Sequence, residues 1–378
     1  VNPGCVLILN PALVITQPAQ LAATVANTDV TCFGANNGTI TITNSTGGYG
    51  SYQYTINGGA TWVGSGNFTS LAPGTYNVRI RDAANTSCVQ ILNPALVLAE
   101  PPALTATVNR TNITCFGSTD GTITVSGAVG GHGTYEYSIN GGGSWQSAGN
   151  YTGLTPGTYN VQIRDAEYPT CYIVLNGALV LTQPSVLTAT LSSTNVTCNS
   201  ASDGTISITG ASGGYGTYEY TINGGTTWNS SGLFTNVSPG TYDVRIRDLA
   251  NPLCSIVLNA GLQITEPAAL TAMVVDTDIS CFGAADGVIT ITNSAGGYGT
   301  FQYSINGGAA WQDSPVFSPL AAGTYDVRIR DRAHTGCVAV LPPVTITEPS
   351  ALSAVAAGTN ISCHGANDGT IIISSPTG

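Results

Sequence analysis

The 378-residue sequence contains no lysine and a single methionine; its nine basic residues are all arginine, and only 8% of positions are charged. The missing lysine excludes Schiff-base nucleophiles, a P-loop lysine and Lys–Asn isopeptide cross-links. Against 20 carboxylates the arginines leave a formal net charge of −11, which argues against nucleic acid as a partner. Histidine is nearly absent too: His132, His334 and His364 occupy unrelated positions and build no recurring metal or catalytic constellation. No apolar run reaches the roughly 20 residues of a membrane-spanning helix, and no basic segment followed by an apolar one opens the chain. The CxxC spacing of a zinc or redox site is missing, and so is any helical periodicity.

What remains is 42% apolar residues with 47 glycines and 19 prolines, a balance that is neither disordered nor collagen-like. It is arranged as a repeat. Gly74-Thr75-Tyr76 returns as Gly157-Thr158-Tyr159, Gly240-Thr241-Tyr242 and Gly323-Thr324-Tyr325, each time after 83 residues. Trp62, Trp145, Trp228 and Trp311 keep that step, as do Cys32, Cys115, Cys198 and Cys281, before Cys363 arrives one residue early. Glu/Gln-Pro pairs at Gln17, Glu100, Gln183, Glu266 and Glu348 divide the chain into units at 19–101, 102–184, 185–267 and 268–349. Residues 1–18 match the last strand of a truncated unit and 350–378 the first strands of another, so the chain reads as a window on a longer array.

Within a unit the apolar period is two. Ile40 and Ile42 alternate with Thr39, Thr41 and Thr43, and Tyr76, Val78 and Ile80 alternate with Asn77, Arg79 and Arg81. The second unit predicts strands near 104–114, 121–127, 134–140, 143–147, 150–154, 157–165 and 171–182. Seven short strands in 83 residues imply an all-β fold, a tandem array of immunoglobulin-like β-sandwich repeats. Asn57-Gly58, Asn140-Gly141, Asn223-Gly224 and Asn306-Gly307 supply positive-φ hairpin turns. Tyr76, Tyr159, Tyr242 and Tyr325 stand where sandwiches carry a tyrosine corner. In the fourth unit Pro342-Pro343 replaces three residues of the last strand, where a bulge or break absorbs the loss. A strand of about 12 residues spans roughly 40 Å, so units joined end to end predict an elongated rod.

Ten cysteines at two places per unit point to an oxidising, extracellular compartment. Those at 32, 115, 198 and 281 follow the first strand, and Cys88, Cys171, Cys254 and Cys337 precede the last. In a sandwich these places lie at opposite poles, whereas a disulfide needs Cα atoms within about 7 Å. Bonds between successive units (Cys32 with Cys171, Cys115 with Cys254, Cys198 with Cys337) are therefore preferred, with bonds inside a unit such as Cys32–Cys88, and free thiols, as the alternatives. Asp82, Asp165, Asp248 and Asp331 follow the sixth expected strand. They are calcium candidates if the linker acid of the preceding unit lies nearby, although calcium wants six or more oxygens and that acid is Gln17 or Gln183 in two cases. An Arg–Asp pair capping the strand end, with Arg79 and Arg81 facing solvent, is the competing role. The tryptophans either pack at the sandwich edge or form a sugar-stacking ladder. Asn-x-Ser/Thr triplets such as Asn67 and Asn112 carry little weight in so threonine-rich a chain. No nucleophile elbow or catalytic carboxylate pair recurs, and no cofactor is implied.

Cys32-Phe33-Gly34, Asn37-Gly38-Thr39, Gly47-Gly48, Tyr52 to Asn57, and Pro73-Gly74-Thr75-Tyr76 through Asp82 to Cys88 together resemble the SprB repeat of giant surface adhesins of the Bacteroidota. The likeness recurs in all four units, with departures at Asn199-Ser200 and His364. The resemblance implies a long secreted cell-surface filament, exported by a type IX system, gripping a substratum and carried by gliding machinery. The reading it favours is a structural, non-enzymatic shaft whose partners are neighbouring repeats of the same chain. The alternatives are a repeated module binding glycans or a surface by avidity, and a laterally self-assembling fibre.

Overall fold

A computed structural model describes Gly4 and residues 12–378. Most of the strand expected in residues 1–18 falls on 1–3 and 5–11, outside the described residues, and residues 12–18 form no strand. The chain divides into two compact units, Val1–Pro184 and Ser185–Gly378.

In the first unit, repeat 1 comprises β1 (Ala22–Thr28), β2 (Gly38–Thr46), β3 (Tyr52–Thr55), β4 (Asn67–Leu71), β5 (Gly74–Asp82) and β6 (Val89–Leu98). Repeat 2 follows as β7 (Thr105–Thr111), β8 (Gly121–Val129), β9 (Tyr135–Ser138), β10 (Asn150–Leu154), β11 (Gly157–Asp165) and β12 (Tyr172–Leu181). Each repeat folds into two three-stranded antiparallel sheets, β1-β2-β4 and β3-β5-β6 in the first, β7-β8-β10 and β9-β11-β12 in the second. This is the strand partition of an immunoglobulin-like sandwich. The period-two pattern explains it. Ile123 and Val125 point in from one sheet and Val161 and Ile163 from the other, closing a core with Ile113, Tyr137 and Leu181. Each fully buried isoleucine contributes on the order of 1.5–3 kcal/mol.

In the second unit, repeat 3 comprises β13 (Ser185–Thr194), β14 (Gly204–Gly214), β15 (Tyr218–Thr221), β16 (Leu233–Val237), β17 (Gly240–Asp248) and β18 (Ser255–Ile264). Repeat 4 has β19 (Thr271–Thr277), β20 (Gly287–Ala295), β21 (Phe301–Ser304) and β22 (Val316–Leu320). Its last two strands are each broken, into β23 (Gly323–Tyr325) and β24 (Arg328–Asp331), then β25 (Val338–Val340) and β26 (Val344–Ile346). A hairpin of β27 (Ser353–Thr359) and β28 (Thr370–Thr377) ends the chain. No helix occurs among the described residues.

Two details depart from the sequence expectation. Residues 143–147 make no strand, only the isolated bridge Tyr137↔Gln146, so six strands build the sandwich of repeat 2, as they do in repeats 1 and 3. The cause is local: Asn140 Oδ1 accepts the Ser144 N–H at 2.9 Å and Ser138 Oγ the Gly142 N–H at 2.9 Å, taking donors a ladder would need. The one-residue loss in repeat 4 is absorbed by the break. Between the pairs Tyr159↔Leu179 and Gln162↔Val174, β12 has two more residues than β11; between Tyr325↔Val344 and Arg328↔Val340 the excess is one. Val344 and Ile346 still face inward.

Candidate functional site

Three constructions recur from repeat to repeat. The first is a polar pole at the end of the sixth expected strand. Asp82, Asp165, Asp248 and Asp331 are fully buried, one at the end of each such strand. Asp165 Oδ1 accepts the N–H groups of Glu167 (2.9 Å) and Tyr168 (3.1 Å), while Oδ2 accepts the His132 N–H and lies 3.2 Å from His132 Nδ1. Asp82 accepts from Tyr49, Ala84 and Asn85, Asp248 from Tyr215, Ala250 and Asn251, and Asp331 from Tyr298, Ala333 and His334. The Gly-Gly turn wraps over the carboxylate so closely that a Cβ on Gly131, at φ +57°, would stand 2.4 Å from Asp165 Oδ2.

These bonds govern titration. The Tyr49 N–H, helped by Asn85 and Ala84, holds Asp82 below the ordinary carboxylate value against the opposing effect of burial. At Asp165 and Asp331 burial alone would raise the value, but the converging N–H donors outweigh it and hold both carboxyls low. Neither expected role fits this geometry. The aspartates' oxygens are engaged by N–H donors, and no group of three or more His, Cys, Asp or Glu positioned for a metal occurs among the described residues. Among the described residues no arginine is ion-paired with these aspartates; the arginines that form ion pairs do so with Glu136, Asp243, Glu219, Asp326 and Asp313. The linker acid turns the other way as well: Glu100 Oε2 accepts the Gly34 N–H at 2.8 Å and Gln183 Oε1 the Gly117 N–H at 2.8 Å, each within its own repeat. Glu266 and Glu348 do the same for Ser200 and Gly283. The recurring Glu/Gln-Pro pair marked boundaries in the sequence, yet its side chain caps the turn after the first strand.

The second construction is the junction between repeats. Cys32, after β1, is bonded to Cys171, before β12, with Cα atoms 5.4 Å apart. Cys198 and Cys337 are bonded likewise at 5.2 Å, and both bonds span 139 residues. Each therefore joins one repeat to the next within its unit. A cavity of about 90 Å³ beside the first bond is lined by Phe33, Pro101, Pro102, Leu104 and Tyr172. Cys115 is half-buried after β7 and Cys254 buried before β18. Cys88, Cys281 and Cys363 are exposed and make no disulfide among the described residues.

The third construction lies on the outer face of the sheet that carries β5 and its counterparts. Trp62, Trp145, Trp228 and Trp311 belong to none of the four buried cores. Each is half-buried under the arginine at the last outward position of the tyrosine strand: Arg81, Arg164, Arg247 and Arg330, at 4.4–4.5 Å from the ring centroid. Both residue types recur at the same step, but only the sheet pairing shows that they meet. The tyrosine corner is present throughout: Tyr76, Tyr159, Tyr242 and Tyr325 donate to the carbonyls of Ala72, Thr155, Ser238 and Ala321 at 2.7–2.8 Å.

The sequence profile of the SprB repeat matches residues 24–61, 107–144, 190–227 and 274–310, covering the first three strands and the Asn-Gly turn of each unit. No curated protein matches the chain significantly. Among solved structures, the three N-terminal domains of the outer capsid protein Hoc of bacteriophage RB49 are 11% identical, with 87% of this chain and 100% of that one covered at a TM-score of 0.27. A tetra-tandem repeat from the extending region of a large adhesion protein is 14% identical, with 86% and 100% covered at 0.26. Superpositions this loose carry no argument about this chain.

Proposed function

The chain is an SprB-repeat protein, and from that premise we propose that it is a length of the shaft of an extracellular adhesin, a spacer that bears tension and performs no chemistry. The observation that carries the reading is the pair of disulfides between successive repeats. A bond from Cys32 to Cys171 gives a pulling force a covalent route past the chain between them, and Cys198–Cys337 does the same in the next two repeats. Such bonds persist in oxidising surroundings, which supports a cell-surface location. With lysine missing, isopeptides cannot supply the cross-link. Attachment to a substratum, gliding motility and type IX export form the finer part of the proposal and rest on the family resemblance.

Catalysis is not part of this reading, because the recurring polar groups are engaged structurally: the aspartates by backbone N–H groups and the tyrosines by carbonyls. A glycan-stacking ladder repeated along all four units is less favoured than a spacer, since one face of every tryptophan is covered by its own arginine. Non-reducing peptide mapping of protein recovered from the cell surface tests the proposal. Cross-linked peptides containing Cys32 with Cys171 and Cys198 with Cys337 are expected; a Cys32–Cys88 peptide, or quantitative alkylation of these four thiols without reductant, would overturn it.

A further inference from the structure

The outer face of β5 differs from its counterparts in one respect, the partners of its arginines. In repeat 2, Arg164 is ion-paired with Glu136 at 2.6 Å, and Gln162 takes the place of the second arginine. In repeat 3 both arginines are neutralised, Arg247 by Glu219 at 2.6 Å and Arg245 by Asp243 at 2.5 Å. Repeat 4 pairs Arg328 with Asp326 at 2.9 Å, while Arg330 bonds to the amide of Gln302. In repeat 1 both acids are amides: Arg81 Nε donates to Gln53 Oε1 at 2.8 Å and Arg79 Nε to Asn77 Oδ1 at 2.9 Å.

Among the described residues, Arg79 and Arg81 therefore make no ion pair, though each is held in place by an amide. They alternate with inward-facing Val78 and Ile80, which sets their Cα atoms about 7 Å apart on one flat face. Arg81 lies over Trp62, and Val89 and Ile91 stand across the strand pair from Arg81 and Arg79, both exposed. The outcome is a fixed, doubly positive, aromatic-edged strip on a chain whose net charge is −11. Guanidinium groups oriented in this way offer forked N–H donors to sulfate or carboxylate oxygens, a local attraction that works against the net negative charge of the chain.

We propose that the β5 face of repeat 1 is a binding site for acidic polysaccharide, with Arg79 and Arg81 meeting successive anionic groups and the exposed Val89 and Ile91 meeting the sugar rings. The site stands on the charges of repeat 1 and is independent of the shaft reading, so neither test decides the other.

Repeat 3 supplies the variant that tests it, because its fold already accommodates acids at both places. Binding of the full chain to dextran sulfate, to polygalacturonate and to neutral dextran is measured at low ionic strength. The wild-type protein is expected to bind one or both anionic polymers and not dextran, and Gln53→Glu with Asn77→Asp is expected to weaken that binding about tenfold. The reverse exchange in repeat 3, Glu219→Gln with Asp243→Asn, is expected to add a second site and strengthen retention. Undiminished binding by the repeat 1 variant, no binding to either anionic polymer, or equal binding to neutral dextran would overturn the site. The sulfate and carboxylate arms identify which anionic group is preferred.

Discussion

Asp165 shows how one residue organises a pole of the sandwich. Its carboxylate is fully buried and accepts three backbone N–H groups from two loops, so it ties the turn after β8 to the turn after β11. Replacing it by asparagine puts an amide donor against donors already there, and Asp165→Asn is expected to cost about 2 kcal/mol in urea unfolding. The same bonds depress its titration below the ordinary value. Because the folded value is the lower one, the unfolded chain binds more protons, so this contribution is complete above the unfolded value near pH 4. It disappears as pH falls through the folded value. The urea midpoint of the wild-type protein should therefore drop below about pH 4 more steeply than that of Asp165→Asn; parallel curves would contradict the role. The sequence made this aspartate visible by its recurrence but left its partners open, since they are main-chain groups that carry no residue signature. The tryptophans were ambiguous for a related reason: a large amphipathic ring suits a core or a surface equally, and only the arginine above it decides.

At the scale of strands, alternation of Ile and Val with Thr and Arg places six strands of repeat 2 close to their observed limits, because one face of each sheet must be dry. The segment 143–147 misled for the opposite reason: its fate is set by side-chain acceptors at Asn140 and Ser138 and not by hydrophobic period. The shortened strand of repeat 4 was legible as a bulge or a break; the structure shows a break, where repeats 1–3 carry surplus residues that one deletion can remove. Glycines in the turn between β8 and β9 separate two costs. Gly131 and Gly133 both have positive φ, but a Cβ at Gly131 would meet Asp165 Oδ2 at 2.4 Å and one at Gly133 would meet nothing within 4 Å. Gly133→Ala should cost about 1 kcal/mol from backbone strain, and Gly131→Ala at least about 1 kcal/mol more. Equal losses by chemical denaturation would show that the turn does not close over the aspartate.

For the molecule, the covalent route matters more than the stability of any one sandwich. Along the chain from Cys32 to Cys337, each of these two disulfides bypasses the residues between its cysteines, a sequence separation of 139. In the chain-entropy model a loop of that size is worth up to about 5 kcal/mol, yet the mechanical effect needs no such figure, because the residues inside the loop are not loaded, whereas β1 and β12, which lie outside it, are. The cysteine positions and the polar geometry of a sandwich made adjacent-repeat bonds the preferred expectation from sequence; the alternatives stayed open because strand ends were uncertain by a few residues. Single-molecule stretching of the whole chain, before and after adding reductant, tests the load path most directly. With the disulfides intact, no extension steps should come from the bypassed residues. After reduction each opened loop should add up to about 470 Å of contour length, at about 3.4 Å per residue. Full-length unfolding steps of about 280 Å per repeat throughout the oxidised chain, unchanged by reductant, would contradict the account.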